Sequence, residues 1–262
     1  MRDFVLYTPF YISSNEERNA ENLYCLKKNL EHPDIVKVYL LNEEEKLPIE
    51  HEKLVHISIP KRPSFAYIFD VISKQDTGSS IKVLANTDIY FDETLAKAKD
   101  IKNDEIYALT RWDKQTDGSK KFFLKYHSQD AWIFTIDLDK SIGHFPMGQP
   151  GCDKRLVYEF KNSGYEVKNP SFSIHITHVH ASGFRPYLNN EKIEKVAGNY
   201  AYLTPSTLNE IPIDKKSFYY IRYEYYLHKF QGKLENFKSS WIERKVAVFP
   251  SFYYLLLFKV YG

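Results

Sequence analysis

The 262-residue chain holds only two cysteines, Cys25 and Cys152. Two thiols build neither a disulfide framework nor a cysteine-rich zinc site, so free thiols in a cytoplasmic setting are the expectation. No run reaches the ~18 uninterrupted apolar residues of a membrane helix. The opening MRDFVLYTPF carries charge at once and does not read as a secretory leader. An excess of one charge sign is also missing. A formal net charge of +2 argues against nucleic acid as a partner, because such binding needs a dense basic surface. There is no GxxxxGKS/T phosphate loop, no GxGxxG after the first strand, no GxSxG elbow and no HExxH. Nor is there an internal repeat or a low-complexity linker.

Aromatic residues, in contrast, are abundant, with 21 Tyr and 18 Phe. Tyrosine can stack on bases or sugars while keeping a polar handle; the alternative is a core that is simply aromatic-rich. The length suffices for one large domain, or one domain with an extension. Phe4–Tyr11 reads as a buried strand. Ser13 to Glu17 supplies a cap and early acids for a helix that carries Leu23, Leu26 and Leu30 and stops before Pro33. Ile35–Leu41 and Leu54–Ile59 read as strands. Pro63–Lys74 reads as a helix with Phe65, Ile68, Phe69 and Ile72 on one face. Ile81–Ala85 is a fourth strand, followed by a short helix over Glu93–Lys99. Strands alternating with helices predict an α/β fold with parallel pairing. Further on, Ile106–Arg111 and Ala131–Ile136 read as strands around a polar loop, Lys114–Lys121. Gly151–Gly164 reads as a helix, Glu166–Val167 and Ile174–Thr177 as short strands, and Tyr219–Phe230 and Phe237–Val248 as helices.

The most informative stretch is Ile81–Asp92, IKVLANTDIYFD. An apolar run stops at Asn86-Thr87-Asp88, which places oxygen-bearing side chains at a sheet's C-terminal edge, where open α/β sheets bind ligands. Residues i and i+2 of an extended segment point the same way, so Asn86 and Asp88 are expected to share one metal or one ribose. The alternative is a strand followed by an Asx-type turn. Three further polar groups sit at ends of predicted elements: Ser128-Gln129-Asp130, Gly148 to Asp153, and Thr177-His178-Val179-His180 closed by Arg185. Each has a structural alternative. Asp130 could end a strand, Asp153 could serve the first turn of a helix, and a His-X-His pair could be part of the core.

In their order and context these segments resemble a GT-A-fold glycosyltransferase of the family 2-like, small bacterial and viral type, over roughly residues 4–187. The resemblance implies a mixed central sheet flanked by helices. It assigns residues 1–190 to the catalytic domain, with a nucleotide-binding half over 1–100 and an acceptor and metal half over 101–190. A helical extension packed on that domain would occupy 191–262. ANTDIYFD stands where such enzymes carry a DxD-type motif that holds Mn2+ or Mg2+ against a diphosphate, although Asn86 replaces the first Asp. Asp88 is then the firmer metal ligand, joined by His178 and His180. Thr8 and Pro9 would line the base pocket, and Arg62, with Ser64 and Phe65, would approach the nucleotide or its phosphates. Asn86 would contact ribose or metal-bound water. Asp153 would be the base and Asp130 would contact the acceptor or donor sugar.

The implied reaction moves a sugar from a nucleotide-sugar donor, a UDP-sugar first, to a hydroxyl of a polysaccharide, lipopolysaccharide or protein glycan. Two alternatives stand beside it: a catalytically silent nucleotide-sugar-binding module of the same fold, and a metal-dependent hydrolase. The Tyr-, Lys- and Phe-rich C-terminal segment is expected to pack on the core; peripheral inner-membrane contact and a homodimer contact are its other readings.

Overall fold

The computed structural model describes residues 2–43, 49–60, 62–75, 80–123, 128–180, 182–183 and 194–209. Strands β1 (Phe4–Phe10), β2 (Ile35–Asn42), β3 (Leu54–Ser58), β4 (Ile81–Ala85), β6 (Glu105–Leu109), β9 (Ala131–Phe134) and β10 (Glu166–Lys168) form one sheet. Its order is β10-β6-β9-β4-β1-β2-β3. All neighbours run parallel except β9, which is antiparallel to both β4 and β6.

Period-2 alternation splits the sheet's side chains between two cores. Tyr7, Leu84, Trp132 and Ala108 face helices α2 (Phe65–Gln75) and α3 (Cys152–Asn162). Leu6, Val83, Ile133 and Tyr107 face Leu26 and Leu30 of helix α1 (Glu16–Glu31) and Leu95 of a 3-10 helix over Glu93–Asp100. Burial on both faces explains why β4 is apolar without interruption apart from Lys82, whose ammonium reaches the Thr135 carbonyl at 3.0 Å. The fold is therefore α/β, a mixed central sheet flanked by helices, as expected.

A second sheet, in the order β5-β11-β7-β8, comprises β5 (Ile89–Phe91), β7 (Trp112–Lys114), β8 (Lys120–Phe122) and β11 (Ile176–His178). The expected polar loop at Lys114–Lys121 is the tip of the β7–β8 hairpin. It is closed by Gln115 N–H on the Ser119 carbonyl at 2.8 Å and turned by Gly118 at φ 85°. Three-residue strands are too short for alternation to show in a sequence, which is why β5, β7 and β8 do not stand out there.

Helix α1 is capped by the Asn15 side chain, which accepts from Arg18 N–H at 2.8 Å. Near its other end, the buried Asn29 amide donates to the Ile89 carbonyl at 2.9 Å and accepts from Phe91 N–H at 3.0 Å. One side chain thus closes the edge of β5 and fixes α1 against the second sheet.

Residues 194–209 contain no helix or strand. They bury Val196 and Leu203 in the α2–α3 core and bond along it, with Val196 N–H on the Pro150 carbonyl and Ala201 N–H on the Lys154 carbonyl, both at 3.0 Å. The helices expected over Tyr219–Phe230 and Phe237–Val248, and Arg185, lie outside the described residues. No described helix is long and apolar enough to cross a membrane.

Replacing Asn29 with Leu leaves the Ile89 carbonyl and the Phe91 N–H buried and unpaired. At about 1–3 kcal/mol for each of the two unmet groups, urea unfolding should show a loss of about 2–6 kcal/mol. A loss below 0.5 kcal/mol would mean that the tie between α1 and β5 is dispensable.

Candidate functional site

At the C-terminal end of β4 the chain does not stay extended. Ile89 N–H returns to the Asn86 carbonyl at 3.2 Å, so Asn86-Thr87-Asp88 forms a turn. The expectation that Asn86 and Asp88 face the same way therefore fails. Asn86 donates its amide to Asp130 Oδ1 at 3.1 Å, whereas Asp88 turns toward α1 and β11. Between them, Thr87 donates its hydroxyl to the Pro9 carbonyl at 2.7 Å, fastening the turn to the end of β1.

The second sheet assembles the rest. Antiparallel pairing sets His178 opposite Ile89, and parallel pairing sets it beside Asp113 of β7. His178 Nδ1 lies 2.8 Å from Asp113 Oδ1, and its Nε2 lies 3.1 Å from Asp88 Oδ2. Arg18 enters from α1. Its Nη2 is 2.5 Å from the same Asp88 oxygen, and its Nη1 contacts Glu21 Oε2 at 3.1 Å, the Val179 carbonyl at 3.3 Å and His180 Nδ1 at 2.7 Å. Glu21 is itself held by the Ser182 N–H and hydroxyl, at 2.8 and 3.0 Å. On the far side, Arg111 donates to Asp113 at 2.9 Å and to Asp130 at 3.0 Å, and its guanidinium lies 4.0 Å from the centre of the Phe123 ring. The result is a chain of alternating charge: Glu21, Arg18, Asp88, His178, Asp113, Arg111, Asp130.

The ionisation states follow from these neighbours. Burial works against the Asp88 charge, but His178 and then Arg18 outweigh it and hold the carboxyl well below the usual carboxylate range. Burial also works against a charged His178, yet Asp88 and Asp113 raise it to about 9. Burial, Arg18 and His178 together push His180 down, so the two imidazoles differ in charge. For Asp130, burial prevails over Arg111 and His178 and moves the carboxyl up.

Asp88, His178 and His180 each offer a ligand atom, all within 4.8 Å of one another, so this cluster could hold a metal ion. Its donors fit a divalent cation that displaces the Nε2 proton of His178. Asp113 takes Nδ1 of His178 and leaves Nε2 aimed at Asp88, an arrangement that orients metal-binding imidazoles. His180 Nε2 is buried without a hydrogen-bond partner among the described residues. Mixed carboxylate and imidazole donors suit Mn2+, and Mg2+ when water completes the set.

Asp153 occupies the first turn of α3, just past Gly151 at φ 87°. Its Oδ1 accepts from the Cys152 thiol at 3.2 Å. Burial, followed by the charge of Asp130, pushes its carboxyl up to about 7. Asp130 Oδ2 is buried with no hydrogen-bond partner among the described residues.

The remaining sequence candidates are dispersed. Thr8 is buried at the end of β1, with Pro9 beside it. Arg62 is exposed in the loop before α2 at φ 50°, with its N–H on Glu43 at 3.0 Å, and makes no described contact with the charged chain. Phe65 differs outright from expectation. It is fully buried, with ring centroids 5.2 Å from Trp132 and 5.6 Å from Phe145, so it packs the core and presents nothing to a ligand. Arg18, Glu21, Arg111 and Asp113 were not anticipated. The available signal was a polar stripe, Arg18, Asn22, Cys25 and Asn29, which recurs at helical spacing and is buried along α1.

No protein-family model and no curated protein matches the sequence. Among solved structures, the chain is similar to the mannosyltransferase PcManGT from Pyrobaculum calidifontis in complex with GDP-Man and Mn2+ (14% identity, TM-score 0.46, covering 71% of this chain and 59% of that one). It is also similar to a 4-diphosphocytidyl-2C-methyl-D-erythritol synthase from Anaerococcus prevotii (13%, TM-score 0.39, covering 70% and 90%). A third is the glycosyltransferase GlyE from Streptococcus pneumoniae (13%, TM-score 0.37, covering 65% and 46%). The chain thus spans less than two thirds of the length of either glycosyltransferase.

The charged chain makes stability depend on pH. His178 has a folded-state pKa of about 9, above the ordinary 6.5. Its contribution is complete below pH 6.5 and is lost as pH rises through 9. In EDTA, the urea midpoint of the wild type should fall more steeply between these limits than that of His178→Gln. Parallel slopes would show that His178 does not hold its proton.

Proposed function

We propose that the chain is a nucleotide-sugar-dependent glycosyltransferase whose donor diphosphate is held beside Asp88 and whose acceptor hydroxyl is activated by Asp153. The observation that carries this reading is the Asp153 carboxyl. It is poised near neutrality beside Asp130, which accepts from Asn86 in the turn that carries Asp88. A base with a pKa close to ambient pH is what a weakly acidic hydroxyl nucleophile needs.

In the proposed step, Asp153 accepts the hydroxyl proton as the acceptor oxygen bonds to the anomeric carbon. The bond from that carbon to the diphosphate oxygen breaks, and its electron pair leaves with the diphosphate. Asp88, His178 and His180 would hold Mn2+ or Mg2+, which would supply positive charge against that leaving group. Asn86, fixed on Asp130, would reach the donor ribose, and Asp130 would face a sugar hydroxyl. Thr8 and Pro9 lie at the end of β1, and Arg62 in the loop before α2, which are the positions expected to frame the base and phosphates.

Release of nucleoside diphosphate from UDP-, GDP- and TDP-sugars, with Mn2+ or with EDTA, tests the reading. Asp153→Asn should keep donor binding and lose about 100-fold or more of kcat, within the usual range for removal of a general base. Wild-type kcat should rise with pH through about 7, as the carboxyl ionises. Full activity in Asp153→Asn would remove the base assignment. Asp88→Ala should abolish the Mn2+-dependent part of the thermal shift produced by the donor. An unchanged shift would place the diphosphate elsewhere.

A further inference from the structure

Two of the three metal-ligating groups are already engaged by a cation of the protein itself. Arg18 Nη2 lies on Asp88 Oδ2 at 2.5 Å, and its Nη1 lies 2.7 Å from His180 Nδ1. A guanidinium only donates, so Nδ1 of His180 must accept and the neutral ring carries its proton on Nε2. With Arg18 in place, His180 therefore offers neither nitrogen to a metal. Asp88 Oδ2 is shared between Arg18 and His178. A divalent ion added to this arrangement would also meet the fixed positive charge of Arg18 at close range.

We infer that Arg18 and a divalent cation are alternative occupants of the Asp88–His180 pair, so that metal binding requires Arg18 to withdraw. The structure contains a place for it to go. Glu21 lies one helical turn away, contacts Nη1 at 3.1 Å, and is anchored by both the N–H and the hydroxyl of Ser182. Arg18 can release Asp88 and His180 while retaining a carboxylate partner. The freed Nη2 is then a donor available to an anion, which a diphosphate supplies. Arg18 would thus change partner from a protein carboxylate to the substrate's phosphates, and metal and donor would load together.

This inference rests on reading Asp88, His178 and His180 as metal ligands. It is tested by Mn2+ alone on the full chain, with free Mn2+ followed by electron paramagnetic resonance and no nucleotide present. Arg18→Gln should bind Mn2+ at least tenfold more tightly than the wild type. Arg18→Lys guards against a folding defect in the glutamine variant. Its single ammonium frees one of the two ligand atoms, and affinity should rise severalfold. If neither variant binds Mn2+ more tightly than the wild type, or if none of the three proteins binds it, Arg18 is only a structural counter-ion and the inference is overturned. Because no donor enters the assay, that result would leave glycosyl transfer to be judged by its own measurement.

Discussion

The Asp88 carboxylate is the constraint around which this site is organised. A carboxylate this well shielded costs several kcal/mol unless it is paired and hydrogen-bonded, and removing one partner exposes that cost. Its partners come from elements far apart in sequence: Arg18 from α1 and His178 from β11. The pairing holds only if α1 is pinned to β5, if β5 pairs with β11, and if β11 lies beside β7 so that Asp113 supports the imidazole. The second sheet is small in area, but it sets the register of each of these contacts.

The same constraint gives the two key aspartates opposite character. Asp88 sits between an imidazolium and a guanidinium and stays ionised. Asp153 is buried and shares its surroundings with another carboxylate, Asp130, and the two together push it toward neutrality. One residue type therefore takes two protonation characters, a carboxylate kept ionised and a carboxyl held near neutrality, and burial and neighbours decide which. Arg111 belongs to both halves. By bridging Asp113 and Asp130, it links the cation-holding end of the chain to the end that faces Asp153.

The fold was largely legible in the sequence because its main signals are periodic. The strands of the large sheet and the three α-helices fall close to their expected places, and Asn15 caps α1 within the expected start segment. Asp88, His178 and His180 could be named as a group because oxygen and imidazole ligands at element ends stand out in an apolar background. Their partners could not. Arg18 and Glu21 look like the solvent-facing start of an amphipathic helix, and Arg111 and Asp113 like the polar end of a strand. Only the pairing of β5, β11 and β7 shows that these charges meet, and a sequence does not carry which short strands pair. Phe65 illustrates the opposite error. Its position at a helix start suggested a ligand contact, but it continues the apolar stripe of Ile68, Phe69 and Ile72, and the core claimed it.

The departure from a strict DxD pattern also has a physical account. The Asn86 amide donates to Asp130 Oδ1, which already accepts from Arg111. An aspartate at this position would set a second anion against a buried carboxylate that is already hard to ionise. It would bring acceptor oxygens where a donor is required, and only the backbone bond from Asn86 N–H to the Asp130 carbonyl, at 3.0 Å, would still join the turn to the start of β9. Asn86 is thus set by the needs of Asp130, and the anionic work of the motif falls to Asp88 alone. With only one carboxylate at the turn, a cation bound there would depend on imidazoles for its remaining protein ligands, and His178 would have to give up its Nε2 proton to serve as one. The histidine pair stacks at a centroid separation of 5.4 Å, and its two rings are split in charge by their surroundings, Asp88 and Asp113 raising His178 and burial with Arg18 lowering His180.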